Sequence, residues 1–170
     1  MQTPAKFLTV LAALFMLSAC ETPPDDSGTI DGSGYDGDTM DGYDGSGSDV
    51  VPGTQGDLEA NVGDRVFFAL DSSVLSADAQ GTLERQAAWL KQYGDVNVTV
   101  EGHCDERGTR EYNLALGERR AAAVKNYLVG LGVAAGRVST ISYGKERPAV
   151  LGSSESSWSQ NRRGVTVVTH

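Results

Sequence analysis

Hydrophobic residues recur with two different periods, that of a strand and that of a helix, along the last two thirds of the chain. From 96 to 100, apolar and polar residues alternate, which predicts a half-buried strand. The unbroken apolar run from 66 to 70 predicts a buried strand before it. Segments 138–143 and 164–169 are rich in β-branched residues and predict two further strands.

The segments between these strands have apolar residues at helical spacing. Ser76 is a suitable N-cap for a first helix that stops at Gly94. A longer helix is expected from about 110 to 131 and a short one over 156–161. The order βαβαβ(α)β with short connections predicts an α/β sandwich of the α+β class, with the helices packed on one mixed sheet.

Residues 1–19 have the pattern of a secretory signal. Lys6 precedes an apolar run that is too short for the ~20 residues of a membrane-spanning helix. The run ends in Leu-Ser-Ala-Cys at 17–20, which resembles the lipobox of bacterial lipoproteins, so we expect lipidation at Cys20. Glu21 follows the cysteine, and the resemblance to bacterial lipoproteins implies that a chain with Glu at this position goes to the outer membrane. An ordinary cleavage site before a cysteine is the alternative.

The formal net charge of −9 arises from one segment. Residues 21–57 carry nine Asp and one Glu without Lys or Arg, whereas 58–170 carry 13 acids and 13 bases. The acidic segment consists mostly of Asp, Gly and Ser, and it lacks the apolar content that would offset its chain entropy. We therefore predict a disordered tether over 20–57 and one domain over 58–170. No alignment of the Asp-Gly repeats of the tether with an EF-hand loop places ligands at all the required positions.

The stretch VEGHCDERG, residues 100–108, is dense in reactive side chains. His103 and Cys104 are neighbours, and neighbours on an extended strand point to opposite faces, which is a poor arrangement for a catalytic dyad. One His, one Cys and carboxylates also lack the paired spacing of a zinc site. No phosphate-binding loop, nucleophile elbow or basic patch for nucleic acid occurs. The sequence indicates binding rather than catalysis, without a cofactor or metal.

The long predicted helix carries an arginine on its apolar face. That face is defined by residues at helical spacing: Leu116, Ala123, Val124, Tyr127, Leu128 and Leu131. Arg120 and Asn113 lie on the same face, whereas Arg119 points about 100° away and is expected at the surface. A buried arginine must be paired or must line a cleft, because an unpartnered buried charge is costly.

Asp105 is the carboxylate best placed to meet Arg120. It follows a strand directly, at the carboxyl end where clefts form in layered α/β structures. A fixed anion and a fixed cation are complementary to a zwitterion, whose ammonium Asp105 would bind and whose carboxylate Arg120 would bind. An internal Asp105–Arg120 salt bridge without a ligand is equally compatible with the sequence.

Several separated segments resemble one family. VTVEGHCDERGTREYNLALGERRAAAVKNYL, then SYGKERPAVLG and NRR, are similar in order and spacing to the peptidoglycan-associated lipoproteins of the Tol–Pal system. More broadly, they resemble OmpA-like peptidoglycan-binding domains over about 64–168. The resemblance implies an OmpA-like domain in the periplasm that holds the diaminopimelate of peptidoglycan stem peptides non-covalently. It further implies partnership with TolB and other Tol or outer-membrane proteins, and a role in envelope integrity and constriction at division.

The resemblance also assigns binding residues. The family's acid in GHxD falls on Asp105, its arginine in GERRA on Arg120 and its asparagine in EYN on Asn113; a polar residue after the first strand falls on Asp71. Two positions depart from the family: Cys104 stands where Thr or Ala is more common, and Ala69 where Asp is common. A generic OmpA-like lipoprotein, acting mainly as a protein-interaction module outside the Tol system, is the alternative function.

Overall fold

The computed structural model describes residues 50–169, so the predicted signal, Cys20 and most of the predicted tether lie outside the described residues. The strands are β1 (Arg65–Phe67), β2 (Asn97–His103), β3 (Val138–Gly144) and β4 (Arg163–Thr169). The helices are α1 (Gln55–Asp57), which continues as a π-helical turn over Leu58–Val62, α2 (Ala77–Gln92), α3 (Arg110–Gly130) and α4 (Glu155–Asn161); a 3-10 turn spans Ala135–Arg137.

The strands form one mixed sheet in the order β1-β4-β2-β3. β2 and β3 run parallel, and β4 is antiparallel to both of its neighbours, β1 and β2. Val98 and Val100 of β2 are buried beneath the helices, as their alternation with polar residues predicted. The predicted mixed sheet with packed helices is confirmed. Within residues 50–169, no helix is long and apolar enough to cross a membrane.

Side-chain caps fix the starts of the helices. The Ser76 hydroxyl accepts a hydrogen bond from Ala79 N at 3.2 Å, which confirms the predicted N-cap of α2. Thr109 caps α3 in the same way, accepting from Tyr112 N at 3.2 Å. After α3, Gly132 has a φ of 95°, which turns the chain out of the helix close to its predicted end.

The first strand is shorter than predicted. β1 ends at Phe67, and the predicted buried run is interrupted because Phe67 and Leu70 are 48% and 59% exposed. The physical reason lies in distant side chains. Phe68 N still donates to the Arg162 backbone carbonyl at 2.9 Å, but the Phe68 carbonyl accepts from Arg162 Nε, and the carbonyls of Ala69 and Ser72 accept from Arg120, so side-chain donors replace a strand partner from that point.

Folded structure extends to the N-terminal side of residue 58. Asp57, which is buried, accepts hydrogen bonds from Trp89 Nε1 at 2.8 Å, Gly53 N at 2.8 Å and Asn61 Nδ2 at 2.7 Å. The last residues of the segment predicted as tether therefore pack on α2. The role of the remaining segment stays a prediction.

Candidate functional site

A cavity of about 200 Å³ opens at the carboxyl end of β2, where the β1–α2 and β2–α3 loops meet α3. Its wall is formed by Leu70, Asp71, Cys104, Asp105, Arg107, Gly108, Tyr112, Asn113, Leu116, Arg120 and Arg162. The structure thus brings together all four residues predicted to bind peptidoglycan: Asp71, Asp105, Asn113 and Arg120. Whether each contacts a ligand stays a prediction.

Arg120 is fully buried and is held by carbonyl groups. Its Nη1 donates to His103 O at 2.7 Å, its Nε to Ser72 O at 2.8 Å and its Nη2 to Ala69 O at 3.1 Å. Burial lowers the pKa of the Arg120 guanidinium below its ordinary value. Among the described residues no carboxylate forms an ion pair with Arg120. The alternative interpretation, an internal salt bridge between Asp105 and Arg120, is therefore wrong.

Asp105 is paired with two other arginines. Arg107 Nη2 donates to Asp105 Oδ2 at 2.5 Å and Arg107 Nε to Oδ1 at 3.1 Å, while Arg162 Nη1 lies 3.4 Å from Oδ2. Burial alone would raise the pKa of Asp105, but the hydrogen bonds from Arg107 and then Arg162 outweigh it and hold the pKa below its ordinary value. Asp105 is therefore a carboxylate anion in the cavity wall.

Arg107 and Arg162 were missed by sequence reasoning, although both stand in the segments that carry the resemblance. Arg162 is fixed from three sides, because it also donates to Phe68 O at 3.1 Å and to Glu155 Oε1 at 2.6 Å. Arg107 had a local signal: its backbone N donates to Asp105 Oδ1 at 3.1 Å, a turn that an Asp two residues earlier commonly makes. No feature of the sequence near Arg162 indicates that its side chain contacts Asp105.

Asn113 and Asp71 line the cavity from two different elements, Asn113 from α3 and Asp71 from the β1–α2 loop. Asn113 Nδ2 donates to Arg107 O at 2.8 Å and to Thr109 O at 3.0 Å, so it fixes the β2–α3 loop that carries Asp105. Asp71 has a φ of 52°, in the left-handed region that non-glycine residues seldom adopt. The Tyr112 hydroxyl donates to the Asp71 carboxylate, which joins the β1–α2 loop to α3 across the cavity.

His103 and Cys104 point away from each other, as predicted. Cys104 Sγ donates to Asn113 O at 3.3 Å on the α3 side, and burial raises the pKa of its thiol. His103 Nε2 lies 3.2 Å from Glu101 Oε2 on the other face of the sheet. Burial, followed by the charge of Arg163, lowers the pKa of His103 to about 4. Residues 50–169 contain no cluster of His, Cys, Asp and Glu that could hold a metal ion.

The sheet, the helices on one face and the charged cavity at the end of β2 define a binding domain of the OmpA class. The OmpA family matches residues 67–162, more than half of the chain. The peptidoglycan-associated lipoprotein of Rhizobium meliloti (strain 1021) is 60% identical over 119 residues, which cover 70% of this chain and 68% of the relative. That of Pseudomonas aeruginosa (strain PAO1) is 44% identical over 161 residues, 93% of each chain. The chain belongs to the peptidoglycan-associated lipoproteins of the OmpA family.

A solved structure agrees with this membership. The peptidoglycan-associated lipoprotein from Burkholderia pseudomallei is similar with a TM-score of 0.61 at 42% identity, over 62% of this chain and 90% of that chain. The OmpA-like fold expected from the sequence is thereby confirmed.

Proposed function

We propose that this chain holds the diaminopimelate residue of peptidoglycan stem peptides non-covalently and thereby links the outer membrane to the cell wall. The observation that carries the proposal is that a fully buried cation, Arg120, and a carboxylate anion, Asp105, both lie in the wall of one cavity without an ion pair between them. The far end of diaminopimelate carries both an ammonium and a carboxylate. The two charges of the cavity are complementary to that end.

The guanidinium of Arg120 suits a ligand carboxylate. A guanidinium has five N–H donors, and among the described residues three hydrogen bonds go to carbonyls, which leaves donors for a carboxylate. Carbonyl dipoles only partly offset a buried positive charge, so an incoming anion would be stabilised there. Because Arg120 is fully buried, a ligand reaches it only after overlying side chains move.

The anchor and the tether extend the proposal to the whole chain. A lipid on Cys20 would hold the chain at the outer membrane, with the domain in the periplasm. Anchored domains act at high local concentration, so individually weak bonds to the wall add up to a firm attachment. The names of the relatives, which describe lipoproteins associated with peptidoglycan, support this part.

A protein partner at the same end of the domain is the second part of the proposal. Leu70, Val74 and Tyr112 expose apolar surface on and beside the cavity rim, which favours a protein interface. We assign this surface to TolB on the resemblance to the Tol–Pal system, with wall and partner binding in competition and a role at cell constriction. A generic interaction module outside that system would use the same surface.

Co-sedimentation of the purified chain with peptidoglycan tests the wall bond. Asp105→Asn removes the anion while keeping the shape of the side chain, and we expect binding about tenfold weaker or more. Glu111→Gln, at an exposed position on the first turn of α3, is the matched control. Free diaminopimelate should compete with the wall. Equal sedimentation of wild type and Asp105→Asn with peptidoglycan would exclude the proposed site. If the chain then still captured TolB, that result would favour the protein-interaction module.

A further inference from the structure

Arg107 occupies the positions on Asp105 that a ligand ammonium needs. Its Nε and Nη2 contact the two carboxylate oxygens separately, at 3.1 Å and 2.5 Å, in the two-point geometry that guanidinium and carboxylate prefer. The carboxylate is thus already engaged by a cation of the chain itself. A ligand ammonium can approach Asp105 only by taking over these contacts.

Of the two arginines on Asp105, Arg107 is the exchangeable one. The Arg162 side chain is only 8% exposed and also binds Phe68 O and Glu155, with its contact to Asp105 the longest at 3.4 Å. The Arg107 side chain is 34% exposed, and its recorded side-chain hydrogen bonds all go to Asp105. Water can therefore replace Arg107 at modest cost, whereas moving Arg162 would break a buried network.

Trp158 offers Arg107 a second contact. The guanidinium carbon lies 4.0 Å from the centroid of the indole ring, which is within cation–π range. The ring is itself fixed, because Trp158 Nε1 donates to Glu106 Oε1 at 3.0 Å. A guanidinium that leaves Asp105 keeps this attractive surface, so it remains near the carboxylate and can return when the site empties.

We infer that Arg107 is an internal competitor for the ligand ammonium: binding exchanges the Arg107–Asp105 ion pair for an ammonium–Asp105 ion pair, and release reverses the exchange. This inference rests on the proposed function. The exchange keeps Asp105 paired in both states, so the carboxylate is never left buried without a cation. It also lowers the affinity for the wall, because every binding event must first displace Arg107.

The backbone of the loop does not depend on the Arg107 side chain. Arg107 N donates to Asp105 Oδ1, and Arg107 O accepts from Asn113 Nδ2, and both contacts survive a change of side chain. Arg107→Gln therefore removes the competing cation and its contact with the Trp158 ring while keeping the backbone contacts of the loop. Arg110→Gln is the matched control: it removes one positive charge three residues away, on an exposed side chain that lies 3.5 Å from Glu146 and does not line the cavity.

Calorimetric titration of the purified full chain in detergent tests the inference. The probes are the tripeptide L-alanyl-γ-D-glutamyl-meso-diaminopimelate and the same peptide acetylated on the far amino group. Arg107→Gln should bind the free-amine tripeptide about fivefold tighter or more than wild type does, because Asp105 is freed. The acetylated tripeptide, whose far diaminopimelate nitrogen is a neutral amide and no longer an ammonium, should gain nothing. Arg110→Gln should stay within about twofold of wild type.

The outcomes separate this inference from the proposed function. If wild type binds the free-amine tripeptide but Arg107→Gln binds it equally or more weakly, Arg107 is not a competitor and the wall-binding proposal stands. A gain that appears equally with the acetylated tripeptide would also overturn the inference, since it would not depend on the ammonium. If neither wild type nor Arg107→Gln binds the free-amine tripeptide, the proposed function itself fails. Thermal unfolding of each variant shows that it is folded.

Discussion

Gly102 of β2 lies directly against Gly117 of α3, with no room for a side chain on either residue. A Cβ on Gly102 would overlap the carbonyl oxygen of Gly117, and a Cβ on Gly117 would overlap the Ser142 hydroxyl. This contact brings α3 close to the sheet just before the cavity. It lets Arg120, nearly one turn further along α3, reach the carbonyl of His103 at the end of β2.

Gly102→Ala should therefore destabilise the domain by about 3 kcal/mol, because backbone cannot yield to the added methyl group as a side chain would. Urea unfolding measures the change. Gly81→Ala is the control, since a Cβ at this position in α2 meets nothing within 4 Å; it should stabilise the domain by roughly 0.5–1 kcal/mol. Similar midpoints for the two variants would contradict the close contact.

Arg120→Lys should lower stability by roughly 2–4 kcal/mol as well as weaken wall binding. A lysine ammonium is a single point and cannot satisfy three carbonyls that a guanidinium reaches with three nitrogens. Arg119→Lys, at the exposed neighbouring position, should change stability by less than about 0.5 kcal/mol. Unfolding curves of the two variants that coincide would show that the carbonyl contacts are dispensable.

Asp57→Asn should lower the free energy of unfolding, because one of the three donors that meet the Asp57 carboxylate would face an NH2 group instead. Trp89 fluorescence should report the change, since its indole N–H is one of the donors. Asp95→Asn, at an exposed position after α2, is the control. A chain starting at residue 58 that is as stable as one starting at 50 would contradict a structural role for the preceding residues.

His103 should make the domain sensitive to mild acid. The folded state holds His103 neutral down to about pH 4, whereas the unfolded chain takes up the proton near its ordinary pKa of 6.5. The free energy of unfolding therefore carries the full contribution of neutral His103 above about pH 6.5. It falls by about 3 kcal/mol in total as the pH decreases from there towards 4. Urea midpoints measured across this range should fall less steeply in His103→Gln. Parallel pH profiles for wild type and variant would refute the assignment.

The elements that the sequence predicted correctly are those with local causes. The alternation of valines in β2 and the Ser76 cap depend on residues within a few positions of each other, and both are found as predicted. β1 was predicted too long because its end is decided by Arg120 and Arg162, which lie far along the chain. No local pattern of residues 66–70 carries that information.

The same distinction applies to the cavity. Arg120 was found from its position on the apolar face of α3, where a charge has to be explained. Its hydrogen-bond partners were not predicted, because backbone carbonyls exist at every residue and only the tertiary fold selects which ones converge. The partners of Asp105 were missed for a related reason: Arg162 reaches it from the end of α4, and only Arg107 is close in sequence.

The carbonyl contacts of Arg120 limit how this domain can change its ligand. By donating to the carbonyls of Ala69 and Ser72, the Arg120 guanidinium holds the β1–α2 loop against the end of the sheet. The residue that would bind a ligand carboxylate therefore also stabilises the fold. A new specificity, whether evolved or engineered, has to be introduced around a constant Arg120, at a side chain such as Arg107 whose loss leaves the backbone contacts of its loop in place.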